Sequence, residues 1–136
     1  MTGKDTVKVL VVDDHTGIRN ALMRLIDNEQ PHLRSVGSAA SGEEALAMVR
    51  ETQPHVVLLD VVLGDEDGLA LIAPMRRSAD LVAIVVLTSL VDPAVAARAL
   101  RLGAVACVHK SAPAADLLVC IAGARAKCTL PASTPP

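Results

Sequence analysis

The chain has no phenylalanine, tyrosine or tryptophan in 136 residues. Its core therefore has to be built from Val, Leu, Ile, Ala and Met, and recognition of bases or sugars by aromatic stacking is excluded. Cysteine is scarce as well. Cys107, Cys120 and Cys128 are three in number and lack CxxC spacing, which fits a reducing cytoplasm better than a disulfide framework or a zinc site. No apolar run approaches the roughly 20 residues that a membrane-spanning helix needs, so no membrane association is expected. The opening MTGKDTVK carries no hydrophobic segment of the kind found in secretory signals. Nor is there an excess of one charge: 13 Lys and Arg stand against 15 Asp and Glu, both signs interspersed. Without a basic stripe, direct nucleic-acid binding by this segment is not expected.

What is present is apolar sequence in short, regular blocks. Half of the chain (51%) is hydrophobic, enough for one domain with a sizeable core. Strands are expected at Val7–Val12, Leu33–Ser38, His55–Asp60, Val82–Thr88 and Val105–His109. Most of these are continuous apolar runs, as in parallel strands covered on both faces. Helical patterns lie between them. Residues 16–28 carry Ile18, Leu22, Leu25 and Ile26 at helical spacing. Ser41 with Glu44 forms a capping box. Asp67 caps 68–77, in which Pro74 should kink or shorten the helix. Asp92-Pro93 opens 93–102, and Gly103 stops it. Ser111 with Pro113 opens a last helix to about Ala126. The order (βα)5, with right-handed crossovers, implies a doubly wound five-stranded parallel sheet in an α/β sandwich. The tail KCTLPASTPP reads as a flexible Pro-rich tail or linker over 127–136, after a domain at 1–126.

Ligands in such sheets sit at the carboxyl ends of the strands, near the topological switch point. Here those ends carry Asp13-Asp14, Asp60, Thr88-Ser89 and Lys110. Adjacent carboxylates such as Asp13 and Asp14 repel each other unless both face water or both hold a cation. Asp60 stands between two apolar runs, where an unpaired carboxylate costs several kcal/mol or is pushed to protonate. Each residue alone has an ordinary structural explanation. Three acids, two hydroxyls and an amine, brought to one edge by four strands, are far harder to explain that way. His15 reads as a surface helix residue near the mouth of this edge. His32, His55 and His109 have no metal-ligand spacing, and Glu43-Glu44 and Arg76-Arg77 read as solvated faces.

These residues resemble the signature of the receiver domain of bacterial two-component response regulators, a flavodoxin-like (βα)5 fold. The match comprises Asp13-Asp14, Asp60, Thr88 and Lys110, with Gly68 of DVVLGDEDGL and Gly103-Ala104. VDDHTGIRNAL, LTS at 87–89 and KSAPAADL at 110–117 resemble the NarL/FixJ-like branch. The resemblance implies that Asp60 accepts a phosphoryl group from a histidine kinase or phosphotransfer protein. It implies a Mg2+ site formed by Asp13, Asp14, Asp60 and the carbonyl of Val62. Lys110 and Thr88 would hold phosphoryl oxygens. The implied product is a cytoplasmic signalling switch that catalyses its own modification but is not an enzyme acting on a separate substrate. A homodimer is open, through the first and fifth helices or through the fourth helix and fifth strand.

The sequence departs from the family pattern at several positions. Cys107 stands where receivers carry Tyr or Phe, so the usual movement of an aromatic ring cannot occur. Cys107 itself reads as a small buried hydrophobe. Ser111 replaces the proline that often follows the lysine, and Gly64 replaces a proline and should loosen its loop. Val62 and Leu90 flank the line of attack and cannot orient water, which implies a long-lived aspartyl phosphate.

Other readings are weaker. A haloacid-dehalogenase-type phosphatase needs a second Asp where Val62 stands. Flavodoxin-like flavin binding would set phosphate against the acids of DDHTG. An interaction module that is never phosphorylated, or the N-terminal fragment of a DNA-binding transcriptional regulator, are the remaining alternatives.

Overall fold

A computed structural model describes residues 6–79, 81–89 and 92–129. Five parallel strands form one sheet: β1 (Val7–Val12), β2 (Leu33–Ala39), β3 (Val56–Asp60), β6 (Ala83–Thr88) and β7 (Ala106–His109), in the order β2-β1-β3-β6-β7. The reversal of strand order falls at β1, between β2 and β3, so the carboxyl ends of β1 and β3 flank the switch point. A short antiparallel ribbon of β4 (Val62–Leu63) and β5 (Glu66–Asp67), beyond the five expected strands, follows β3.

The helices cover both faces, and the strands supply both cores by alternation. Val9, Val11, Val56, Leu58, Val85 and Leu87 pack beneath α1 (Thr16–Asp27) and α5 (Ala114–Thr129), against Ile26, Leu117 and Ile121. Leu10, Val12, Val57, Leu59, Ile84 and Val86 point the other way. They meet Val49 of α2 (Gly42–Thr52), Met75 of α3 (Ile72–Ser78) and Ala99 of α4 (Pro93–Leu102). The unbroken apolar runs of the sequence thus reflect strands with no solvated side. Each large aliphatic side chain fully buried here contributes roughly 1.5–3 kcal/mol of hydrophobic stabilisation.

Local chemistry sets the helix ends. Ser41 accepts the Glu44 N–H, while the Glu44 carboxylate reaches back to the Ala40 N–H at 2.8 Å, a capping box displaced by one residue. Asp92 caps α4 through the Ala94 N–H, and Gly103 ends it in the left-handed region at φ 115°. The Asp67 cap holds as well, but onto a 3-10 turn, Gly68–Leu71, rather than the α-helix expected from residue 68. The α-helix begins only at Ile72. Pro74 therefore lies in its first turn, where a missing N–H breaks no helical bond, and the expected disruption does not arise. The last helix starts at Ala114 and runs to Thr129, three residues past the expected end. Residues 130–136, the rest of the Pro-rich tail, lie outside the described residues. Among the described residues the one cis peptide bond is Gln30–Pro31, so Lys110–Ser111 is trans.

Candidate functional site

Strand register gathers the predicted residues. Val12 pairs with Leu59, so Asp13 and Asp60 are the next residues on neighbouring strands. Asp60 pairs with Leu87 and Thr88 with His109, which carries Thr88 and Lys110 to the same edge in two further steps. Hydrogen bonds from the Asp13 N–H to the Ala39 carbonyl and from the Lys110 N–H to the Thr88 carbonyl continue the ladder past the strand ends. Asp14, Asp60, Val62, Thr88, Ser89 and Lys110 line one open cleft of about 360 Å³. Asp13 lies beneath it, buried. Leu90, expected beside the line of attack, lies outside the described residues.

Lys110 ties the acids together. Its ammonium donates to Asp60 Oδ2 at 3.0 Å and to Asp13 Oδ2 at 3.1 Å. Burial opposes ionisation of Asp13, but the His15 N–H, Lys110 and the His15 ring together hold its carboxyl below the usual value. Asp60 moves the other way. Burial raises it, Lys110 pulls it down, and the neighbouring Asp13 charge leaves it raised overall. For Lys110, burial works against the charge, and the two carboxylates more than restore it, so its affinity for a proton is raised. The cationic form of Lys110 is thus matched to a pair of buried carboxylates that would otherwise repel each other.

Asp14 is held differently. Its Oδ2 accepts the Gly64 N–H at 2.9 Å. Its Oδ1 is buried without a hydrogen-bond partner among the described residues. The His15 Nδ1 lies 3.1 Å from this atom, outside hydrogen-bonding geometry, and 3.1 Å from Asp13 Oδ1, where the geometry is good. Asp13, Asp14, His15 and Asp60 each offer a ligand atom, all within 4.8 Å of one another. A buried carboxylate oxygen left without a donor, in a set rich in oxygen, fits a hard divalent cation.

Three contributors were under-read from sequence. His15, read as a surface residue, turns its ring back over both acids. Arg19 donates to the Asp13 carbonyl at 2.8 Å and so braces the β1–α1 turn. Gly64, expected to loosen its loop, sits at φ 59° and donates to Asp14. A proline there has no N–H to give and cannot reach that φ. Gly68 has a steric role: a Cβ there would stand 2.0 Å from the Asp60 carbonyl oxygen. The local form VDDHTGIRNAL carries His15 and Arg19, but which groups they meet is set by the β1–α1 turn.

The other sequence expectations also find places. Cys107 packs, half-buried, beside the α4-side core, and burial pushes its thiol above the usual value, which disfavours the thiolate. His109 accepts from the Ser111 N–H and lies 2.6 Å from its hydroxyl, a local turn contact. His55 accepts the Lys8 N–H at 2.9 Å, a structural role.

Residues 9–122 match the sequence model of the response regulator receiver domain. The chain belongs to that family. Response regulator protein VraR of Staphylococcus aureus (strain NCTC 8325 / PS 47) is 31% identical to the receiver over 112 residues, covering 82% of this chain and 53% of that protein. The chain thus spans about half the length of the curated relatives it matches. A two-component response regulator of the LuxR family from Aurantimonas sp. SI85-9A1 superposes with a TM-score of 0.83 at 31% identity, covering 90% of this receiver and 86% of that chain. A response regulator protein from Burkholderia pseudomallei, solved with a phosphorylated aspartic acid, calcium ion and citrate, does so at 0.77 and 26%, covering 90% and 71%. The LuxR-family relative, with a NarL receiver among the similar structures, places this receiver in the NarL/FixJ-like branch. It is a signalling domain of two-component systems rather than an enzyme with a separate substrate. No helix among its described residues is long and apolar enough to cross a membrane.

Proposed function

We propose that Asp60 is the phosphoacceptor of this receiver. A carboxylate oxygen of Asp60 attacks the phosphorus of a phosphohistidine on a histidine kinase or phosphotransfer protein. The P–O bond forms as the P–N bond breaks, and the departing imidazole takes up a proton. The observation that carries this reading is the contact of Lys110 with Asp60 Oδ2 at 3.0 Å in an open cleft. A cation already aimed at the acceptor can move onto a phosphoryl oxygen as charge arrives there. The buried Thr88, at the end of the neighbouring strand, would hydrogen-bond a second oxygen.

Asp13, Asp14, Asp60 and the Val62 carbonyl would hold Mg2+. When bound, the cation neutralises the acids and the incoming phosphoryl oxygens. The rest is positioning by the protein's own groups. Arg19 and the Ala39 carbonyl hold the Asp13 backbone, Gly64 orients Asp14, and the Val62 N–H approaches Asp60 Oδ1 at 3.3 Å. The relative from Burkholderia pseudomallei carries a phosphorylated aspartic acid, which supports the same chemistry here. The phosphorylated domain, which includes α5 to Thr129 with the segment after it as tail or linker, then switches a partner or output domain in the cytoplasm.

The test is incubation with acetyl phosphate and Mg2+, read by intact mass. The wild-type chain should gain one phosphoryl group and Asp60→Asn none. An unchanged wild-type mass would favour the unphosphorylated interaction module, the reading that Cys107 in the switch position invites.

A further inference from the structure

His15 is the N-cap residue of α1, with extended backbone at φ −98° and ψ 115°, but its side chain makes no cap hydrogen bond. The ring folds back instead, placing Nδ1 3.1 Å from Asp13 Oδ1 and 3.1 Å from Asp14 Oδ1. Only the first contact has hydrogen-bonding geometry, and Asp14 Oδ1 is the buried oxygen left without a partner. The other side of the cluster is already occupied, since Asp13 Oδ2 and Asp60 Oδ2 both face Lys110. On the His15 side, Asp13 Oδ1 accepts the His15 N–H at 2.8 Å, which leaves Asp14 Oδ1 as the oxygen open to a ligand. Neighbouring vertices of an octahedron with metal–ligand distances of about 2.1 Å lie roughly 3.0 Å apart. The His15 Nδ1 stands at that spacing from two carboxylate oxygens at once.

We propose that the His15 imidazole is a direct nitrogen ligand in this cleft, so that the site favours Co2+ over Mg2+ more than an all-oxygen receiver site would. The inference rests on reading the cleft as a divalent-cation site. Imidazole adds affinity for Co2+ in the Irving–Williams order and little for Mg2+, which keeps oxygen ligands and water. The ring is 64% exposed, so it can adjust over a bound ion without disturbing the core. A His15 that acted only through its hydrogen bond to Asp13 would change the affinity for every cation alike. That difference makes the proposal testable.

The whole chain is titrated with Mg2+, Mn2+ and Co2+, for wild type and His15→Ala, with folding checked by far-UV circular dichroism. Mg2+ binding is followed by calorimetry. Free Mn2+ is followed by electron paramagnetic resonance, which the absence of aromatic residues does not hinder. His15→Ala should weaken Co2+ about tenfold and change Mg2+ by less than about threefold. Electron spin-echo modulation of the wild-type Mn2+ complex should show one directly coordinated histidine nitrogen, a readout independent of any variant. Equal loss for all three cations, or a Mn2+ complex without nitrogen modulation, would overturn the role of His15 and leave the cation site standing. No binding of any of the three to wild type would overturn both.

Discussion

Lys110 donates to Asp60 across a partly buried 3.0 Å contact, and the same ammonium reaches Asp13 at 3.1 Å. One cation therefore serves two carboxylates, one held below its usual proton affinity and one above it. This unequal pair underlies the first prediction. Lys110→Met leaves two buried carboxylates without their counter-charge and should cost roughly 3 kcal/mol, the low end for breaking a buried ion pair, because Lys110 is partly exposed. Asp60→Asn removes the acid whose ionised form is disfavoured in the fold, and should raise the urea midpoint at pH 7 while abolishing phosphorylation. Urea unfolding followed by circular dichroism measures both; a stabilised Lys110→Met chain would contradict the first.

Gly68 stands against backbone on two sides. A methyl group there would lie 2.0 Å from the Asp60 carbonyl oxygen and 2.8 Å from that of Val61. Neither atom is the end of a flexible side chain, so the β3–β4 turn must shift. Gly68→Ala should lose roughly 1–3 kcal/mol and also slow phosphorylation, because the displaced backbone carries Asp60.

His55 should make stability depend on pH. Burial first, then the charges of Arg125 and Lys8, push its proton affinity below the ordinary value of 6.5. The neutral ring also accepts the Lys8 N–H. The unfolded chain therefore binds a proton at a higher pH than the folded chain. The stabilisation is fully present above about pH 6.5 and is lost as pH falls through the lower folded value. Between pH 7.5 and 5, wild type should lose more stability than His55→Gln. Parallel curves for the two proteins would rule the effect out.

Val62 is 52% exposed and borders the cleft beside Asp60. It offers no polar group to orient an attacking water. Once formed, the aspartyl phosphate of wild type should persist for minutes or longer, and Val62→Asn should shorten its lifetime by about tenfold, less than the roughly 10²–10⁴-fold of a positioned general acid or base. Phosphate release from the purified modified chain is the measurement. Hydrolysis of the wild-type adduct within seconds would reject the reading.

Short β-branched aliphatic runs alternating with longer, capped helical patterns read as strands covered on both faces, so the sheet and its helices were legible from the sequence. So were the acids, hydroxyl and amine at the strand ends, because a lone Asp60 between apolar runs demands a partner. Caps such as Asp92 and Gly103 were legible for the same local reason. Three-dimensional placement decided the rest. Pro74 proved harmless because a 3-10 turn moved the helix start to Ile72. His15, Arg19 and Gly64 joined the site through a fold-back of the β1–α1 turn and a contact spanning fifty residues, Gly64 to Asp14. Hydrophobic pattern and capping act within a few residues of themselves and can be read along the chain. Which donor meets which carboxylate depends on strand register and loop direction, which exist only once the sheet has formed.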